Sequence, residues 1–210
     1  MRKAEREAGK FERSIASLGA RRDLAALVRG MRTFGGHSGV REKGCRSLLN
    51  STPSATGDEF RAIWEEDGER RKVMVQQYKE LEAVGVIDVV CHAISINASV
   101  AATGCQILTF LARDDDNKGK IAQDGGIAAV LAALRKHPDS AGVQEWGCGA
   151  LGWLVENADG QQNADNQGKI TQEGGIAAVL AALRKHTDNA FSVGCSTWLE
   201  MPAPYCRLWK

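Results

Sequence analysis

The chain lacks an excess of one charge, a long hydrophobic run and closely paired cysteines. Its 27 Lys and Arg stand against 26 Asp and Glu, so a net charge of +1 provides no general field for nucleic acid. No apolar run approaches the roughly 20 residues that cross a bilayer, and the opening residues have no apolar segment typical of a secretory signal. We therefore expect a protein of the cytoplasm, with the nucleus as the alternative, that binds neither nucleic acid nor membrane.

Motifs for catalysis, cofactors and metals are also missing from the sequence. None of the six cysteines forms a Cys-x-x-Cys pair, and there is no Gly-x-Ser-x-Gly, P-loop, dinucleotide fingerprint or His-Glu-x-x-His. The acidic run at 114–117 lacks the spacing of an EF-hand, so we expect it to cap the following helix. His137 and His186 occupy one repeated position, where capping of helix carbonyls explains them. We expect no enzyme activity, no cofactor and no metal.

An internal repeat is the strongest feature of the sequence. Residues 117–137 read NKGKIAQDGGIAAVLAALRKH and residues 166–186 read NQGKITQEGGIAAVLAALRKH, which agree at 18 of 21 positions. This level of identity indicates duplication, and fainter copies upstream bring the number of units to four. Each unit contains one Gly-Cys pair, at Gly44-Cys45, Gly104-Cys105, Gly147-Cys148 and Gly194-Cys195.

Each unit is predicted to be helical. KIAQD predicts a brief first helix, and Gly125-Gly126 permits a sharp turn because glycine tolerates positive φ. Apolar residues then recur at helical spacing through a second and a third helix, and the repeated cysteine predicts a small buried side chain. The predicted core positions are Ile127, Val130, Leu131, Leu134, Val143, Gly147, Ala150, Leu151 and Leu154.

The unit resembles a known repeat family. A segment of about 42 residues cannot bury its apolar face alone, so neighbouring units must stack. GGIAAVLAALRKHPDSAGVQEWGCGALGWL resembles an armadillo repeat in its Gly-Gly-Ile, its Val-Gln-Glu and its Gly-Cys-Gly-Ala-Leu. HEAT repeats are the close alternative, but the glycine pair and the short first helix favour armadillo. The resemblance implies an all-α fold, a right-handed α-solenoid of about four armadillo-like repeats.

The chain divides into three regions. Residues 1–22 are predicted to form a basic helix, either a targeting arm or, as we favour, a cover for the end of the first repeat. Residues 23–200 are predicted to hold the repeats, with Asp23 capping the first helix, and 201–210 form an irregular tail. The repeats are placed at 23–50, 70–112, 117–157 and 166–200, with an insertion at 51–69.

The insertion and the last repeat each lead to a specific expectation. The insertion is either a lid or, as we favour, an elongated first helix, followed by Val73, Gln77 and Leu81 on one helical face. The last repeat ends in a Pro-containing tail without a polar cap. We therefore expect the chain to be part of a longer array or to associate end to end through that repeat.

The resemblance also implies a binding groove. In the armadillo family the third helices line a concave surface, and an asparagine there holds the backbone of an extended peptide. In importin-like members a tryptophan precedes that asparagine on the same helix. The asparagine position falls on Asn50, Phe110, Trp153 and Glu200, and the tryptophan position on Arg46, Gln106, Gly149 and Ser196. Because only Asn50 matches, recognition of basic peptides in the importin manner is not expected.

Trp146, Gly149 and Trp153 share one helical stripe, flanked by Glu145 and Glu156. The two indoles either form an apolar slot with an acidic rim, to which Phe110 adds, or fill space between helices. We expect a non-catalytic protein–protein interaction module, a scaffold or adaptor, that binds a peptide or helix in the concave groove. The alternative is a structural segment of a larger multidomain armadillo protein without an independent partner.

Overall fold

The computed structural model describes residues 2–53, 63, 67–156 and 163–186. This part of the chain is all-α, with eleven helices and no β-strand. The helices are α1 (Arg2–Ala20), α2 (Leu24–Thr33), α3 (Ser38–Ser51), α4 (Gly68–Ala83), α5 (Val86–Ala93), α6 (Ala98–Leu111), α7 (Asp115–Gln123), α8 (Gly126–Lys136), α9 (Ala141–Val155), α10 (Ala164–Gln172) and α11 (Gly175–Lys185).

The two duplicated sequence segments form two equivalent pairs of helices. The bounds of α7 and α8 recur in α10 and α11 at the same offset as the sequence repeat. The first helix is longer than the five residues expected, since α7 already begins at Asp115. The extra turn forms because the Asp114 carboxylate accepts a hydrogen bond from the backbone N–H of Asp116 at 3.0 Å. The acidic run therefore caps and begins a helix, as expected, although Asp114 is buried rather than exposed.

A left-handed residue separates the first and second helices of each repeat. Gly85, Gly125 and Gly174 have φ of 79°, 77° and 76°, which confirms the turn predicted at the glycine pair. In the first repeat Asp23 caps α2, as predicted, by accepting from the backbone N–H of Ala26 at 3.1 Å. The chain therefore changes direction at the same point in every described repeat.

The third helices lie side by side. α3 packs against α6, and α6 packs against α9, while the second helices α2, α5, α8 and α11 make a parallel series of contacts. The predicted stripes of α8 and α9 are buried between these two series, and the core is continuous from α1 to α11. Each repeat therefore buries its apolar face against the repeats beside it.

The glycine of each Gly-Cys pair allows the second helix to approach the third. A Cβ added at Gly44, Gly104 or Gly147 would lie within 3 Å of a side chain in the second helix of the same repeat or at its C-cap. The side chains concerned are those of Met31, Ile94 and Leu134. Cys45, Cys105 and Cys148 follow directly and are fully buried, so the repeated cysteine is a packing residue, as predicted.

The flanking segments pack onto the repeats. α1 lies along α3 and α2, with Ile15 buried and Phe11 and Leu18 packed against the core. α4 begins at Gly68, where the Asp67 carboxylate accepts from the backbone N–H of Arg70 at 2.9 Å.

The buried face of α4 differs from the predicted one. Met74, Tyr78 and Leu81 are buried, whereas Val73 is 57% exposed. The expectation of Val73 and Gln77 on the core face was wrong by one residue. The reason is that the hydroxyl of buried Tyr78 donates a hydrogen bond to the Pro53 carbonyl at 3.2 Å. This contact turns the Tyr78 side of α4, and not the Val73 side, toward the core.

Several predicted features lie outside the described residues. These are most of the insertion at 51–69, the segment 157–162, the third helix of the last repeat with Cys195, Ser196 and Glu200, and the tail at 201–210.

Candidate interaction surface

The candidate surface runs along the third helices α3, α6 and α9. Because these helices pack in order, equivalent positions of successive repeats lie along one side of the molecule. Arg46, Gln106 and Gly149 occupy one such position, and Asn50, Phe110 and Trp153 occupy the next. The solvent exposure of these residues differs from one repeat to the next.

On α3 the predicted residues are open to solvent. Arg46 and Asn50 are exposed, and both line a groove of about 660 Å³ between α1 and α3. Lys43 also lines this groove, and its ammonium lies 2.8 Å from the carboxylate of Glu12 on α1. The hydrogen bond and the charge of Lys43 lower the pKa of Glu12 below its usual range. The N-terminal helix therefore forms one wall of the surface at this end.

On α6 the predicted aromatic residue is not on the surface. Gln106 is half-buried, but Phe110 is fully buried. The Trp146 ring covers Phe110, with ring centroids 5.7 Å apart and tilted by 59°. The expectation that Phe110 adds to an open patch therefore differs from the structure, because Phe110 lies beneath that patch.

On α9 the two tryptophans are half-buried, as are Glu145 and Glu156. Gly149 between them is buried, and a Cβ there would meet Thr109 of α6 at 3.6 Å. The Thr109 hydroxyl lies 2.8 Å from the Cys105 carbonyl and 3.1 Å from the Trp146 carbonyl, to which it donates. Helix α6 therefore packs against Gly149, so the two indoles are not separated by an open slot at that point.

Arg113 is the residue that sequence reasoning missed at this surface. Its guanidinium carbon lies 4.8 Å from the centroid of Phe110 and 5.4 Å from that of Trp153, so it stacks between the two rings. Burial lowers the pKa of Arg113, and the nearby Tyr78 opposes this shift. The i, i+3 spacing of Phe110 and Arg113 is the only signal in the sequence, and it does not reveal Trp153 as the second ring.

Glu145 contributes a carboxyl group with a raised pKa to the α9 part of the surface. Burial raises the pKa of its carboxyl above the ordinary value. Glu145 lies next to Trp146 in the chain, at the half-buried edge of α9. The surface is therefore basic and open along α3, and aromatic with a partly desolvated carboxylate along α9.

The described residues lack the features of two other kinds of site. Among these residues, no three His, Cys, Asp or Glu side chains are grouped so that they could hold a metal ion. In the same part of the chain, no helix has both the length and the apolar character needed to cross a membrane.

Comparison with known proteins gives one partial relationship. The chain is similar to Protein aardvark of Dictyostelium discoideum, an armadillo-repeat protein, with 38% identity over 76 residues. That match covers 34% of this chain and 10% of aardvark, so the chain spans only a small part of the length of this relative. No protein-family model matches the chain, and no solved structure matches it.

Proposed function

We propose that this chain is an armadillo-like interaction module, a short right-handed solenoid without catalytic activity that binds a protein segment along its third helices. The observation that carries the proposal is the ordered contact of α3, α6 and α9, which carry the exposed Arg46, the half-buried Gln106 and the half-buried Trp153. The partial similarity to aardvark supports the armadillo assignment. The residues proposed to meet the partner are Arg46, Asn50, Gln106, Glu145, Trp146, Trp153 and Glu156.

The chemistry of this surface favours a protein partner. Cationic and amide side chains on α3 continue into half-buried indoles and carboxylates on α9. A surface that mixes both charges with aromatic rings suits a peptide or helix, since nucleic acid selects a uniformly basic face. Buried Phe110 and Arg113 support the indoles from below and hold them in place.

A second candidate function follows from the extent of the aardvark match. Because the similar segment makes up 10% of that protein, such repeats also occur as parts of much longer chains. In this alternative the chain is a structural segment, and its surface has no partner of its own. End-to-end self-association through the last repeat is a further proposal, which light scattering over a range of protein concentrations tests.

The experiment is affinity capture with the tagged full chain, followed by measurement of the affinity of each purified candidate partner. Asn50→Ala and Gln106→Ala change the third helices, while Arg29→Ala and Ala132→Ser change exposed positions on the second helices α2 and α8. Trp153→Ala is included with its thermal unfolding recorded, because its ring packs on Arg113.

The proposal expects the third-helix variants to weaken binding while the second-helix variants bind as the wild type does. Equal binding by both sets, with folding intact in each, would contradict it. Absence of any specific partner for the isolated chain would favour the structural alternative.

A further inference from the structure

The groove between α1 and α3 has an uneven distribution of charge. Its walls carry four cationic side chains and one carboxylate, in a chain whose overall net charge is +1. The apolar residues Ile15 and Ala16 lie between these charges, together with the small residues of the last turn of α1. The charged side chains are those of Glu12, Arg13, Arg22, Lys43 and Arg46.

Most of this positive charge is not neutralised within the groove. Lys43 pairs with Glu12 at 2.8 Å, and Arg46 reaches Glu42 only at 3.9 Å. Arg13 and Arg22 are exposed, and neither forms an ion pair with a carboxylate of the described residues. Two guanidinium groups therefore face the groove with their donors available to a ligand.

The backbone of Arg22 is the second observation. Arg22 has φ of 54°, and it is the one residue other than glycine with positive φ in the described part of the chain. Met31, Ile94 and Leu134 are the side chains that contact Gly44, Gly104 and Gly147. Counted back from these three residues, Arg22 stands at the position that Gly85 and Gly125 hold in the next two repeats. An L-residue pays a free-energy cost in this region that glycine does not, so the first repeat keeps an arginine at a position better suited to glycine.

We propose that Arg22 is a partner-binding residue, and that with Arg13 and Arg46 it makes the α1–α3 groove a docking site for an acidic segment of a protein partner. This inference rests on the proposed function and specifies its partner. Guanidinium groups bind carboxylates with paired hydrogen bonds, which an Asp- or Glu-rich segment supplies. Ser47, Asn50 and Ser51 line the same groove and offer hydrogen bonds to the backbone of that segment.

The test uses a fluorescent synthetic peptide rich in Asp and Glu, and a second peptide with Asn and Gln in their place. Binding to the full chain is measured by fluorescence anisotropy at low and high salt. The variants are Arg22→Gly and Arg13→Ala, with Arg29→Ala on α2 as the matched control, an exposed arginine outside the groove. Thermal unfolding is recorded for every variant.

We expect the acidic peptide to bind and the amide peptide not to bind. Arg22→Gly and Arg13→Ala should each weaken binding about threefold to fivefold, and Arg29→Ala should have no effect. Arg22→Gly should keep or raise the melting temperature, because glycine adopts the left-handed conformation without strain. Weaker binding by a protein that is no less stable cannot be attributed to misfolding.

The proposal is overturned if the acidic peptide fails to bind, or if Arg29→Ala weakens binding of this peptide as much as the groove variants do. It is also overturned if anionic vesicles or RNA bind tighter than the acidic peptide through the same arginines. If Gln106→Ala and Trp153→Ala still weaken capture of a partner while the groove variants do not, this inference fails and the proposed function stands. If none of these variants weakens capture, both fail.

Discussion

The side-chain amide of Asn117 donates a hydrogen bond to the backbone carbonyl of Leu111, 3.2 Å away. Asn117 lies in the first turn of α7, and Leu111 ends α6, so the bond joins the first helix of one repeat to the third helix of the repeat before it. Asn166 repeats the arrangement, donating to the Leu154 carbonyl at 2.9 Å. Both asparagines are buried, and each donates to a carbonyl in the last turn of a third helix. The Leu111 carbonyl also accepts from the backbone N–H of Asp114 at 3.2 Å.

We predict that Asn117→Ala destabilises the fold by about 1 kcal/mol, because a buried hydrogen bond between two repeats is lost. The measurement is chemical unfolding followed by circular dichroism. Asn50→Ala is the matched control, since Asn50 is exposed, and we expect a change within about 0.5 kcal/mol. Equal stability of the two variants would show that the bond between repeats contributes little.

We predict opposite effects for two alanine substitutions in third helices. A Cβ at Gly104 would lie 2.5 Å from Cγ1 of buried Ile94, so Gly104→Ala should destabilise the fold by about 1–3 kcal/mol. A Cβ at Gly149 would meet Thr109 at an ordinary 3.6 Å, so Gly149→Ala should be neutral or stabilising by up to about 1 kcal/mol through helix propensity. Differential scanning calorimetry of both variants checks this, and a stable Gly104→Ala protein would mean that the two helices do not require glycine.

We predict that the core thiols are inert in the folded protein. Burial raises the pKa of Cys45, Cys91 and Cys105 to about 12, so almost none of each thiol is ionised at pH 8. Alkylation with iodoacetamide, mapped by peptide mass spectrometry, should leave these three unmodified in native protein and modify them in denaturant. Rapid labelling of Cys45 or Cys105 without denaturant would contradict their burial.

We predict that Glu145→Gln stabilises the folded protein relative to the wild type by an amount that grows as the pH rises. Because burial raises the pKa of Glu145 in the folded state, the native protein holds this proton to higher pH than the unfolded chain does. Stability from this group is therefore lost as the pH rises above the ordinary value for Glu. Denaturant titrations from pH 4 to pH 7 should show the variant gaining on the wild type as the pH rises. A difference that is constant with pH, or that favours the wild type near neutrality, would be inconsistent with a desolvated carboxylate.

The sequence predicted the parts of this structure that local periodicity determines. The stripe from Val143 to Leu154, the turn at Gly125 and the cap at Asp23 were all predicted, because each depends on residues close together in the chain. The duplication strengthened these predictions, since each pattern was observed more than once.

Features that depend on distant contacts were not predicted. Phe110 is buried because Trp146 comes from the next repeat, and Arg113 stacks between rings of two different helices. The rotation of α4 follows from the reach of Tyr78 to Pro53, and hydrophobicity alone favoured Val73 instead. The left-handed Arg22 has no sequence signal at all, because it replaces the glycine that marks this turn elsewhere.

Site-specific photo-crosslinking is the direct test of the proposal that a partner binds along the third helices. A photoreactive amino acid is placed at Arg46, Asn50 or Gln106 on α3 and α6, and at Arg29 or Ala132 on the second helices, in otherwise wild-type protein. We expect crosslinks to the captured partner from the three third-helix positions and none from the two second-helix positions. Crosslinks from Arg29 and Ala132, without any from Arg46, Asn50 or Gln106, would contradict it.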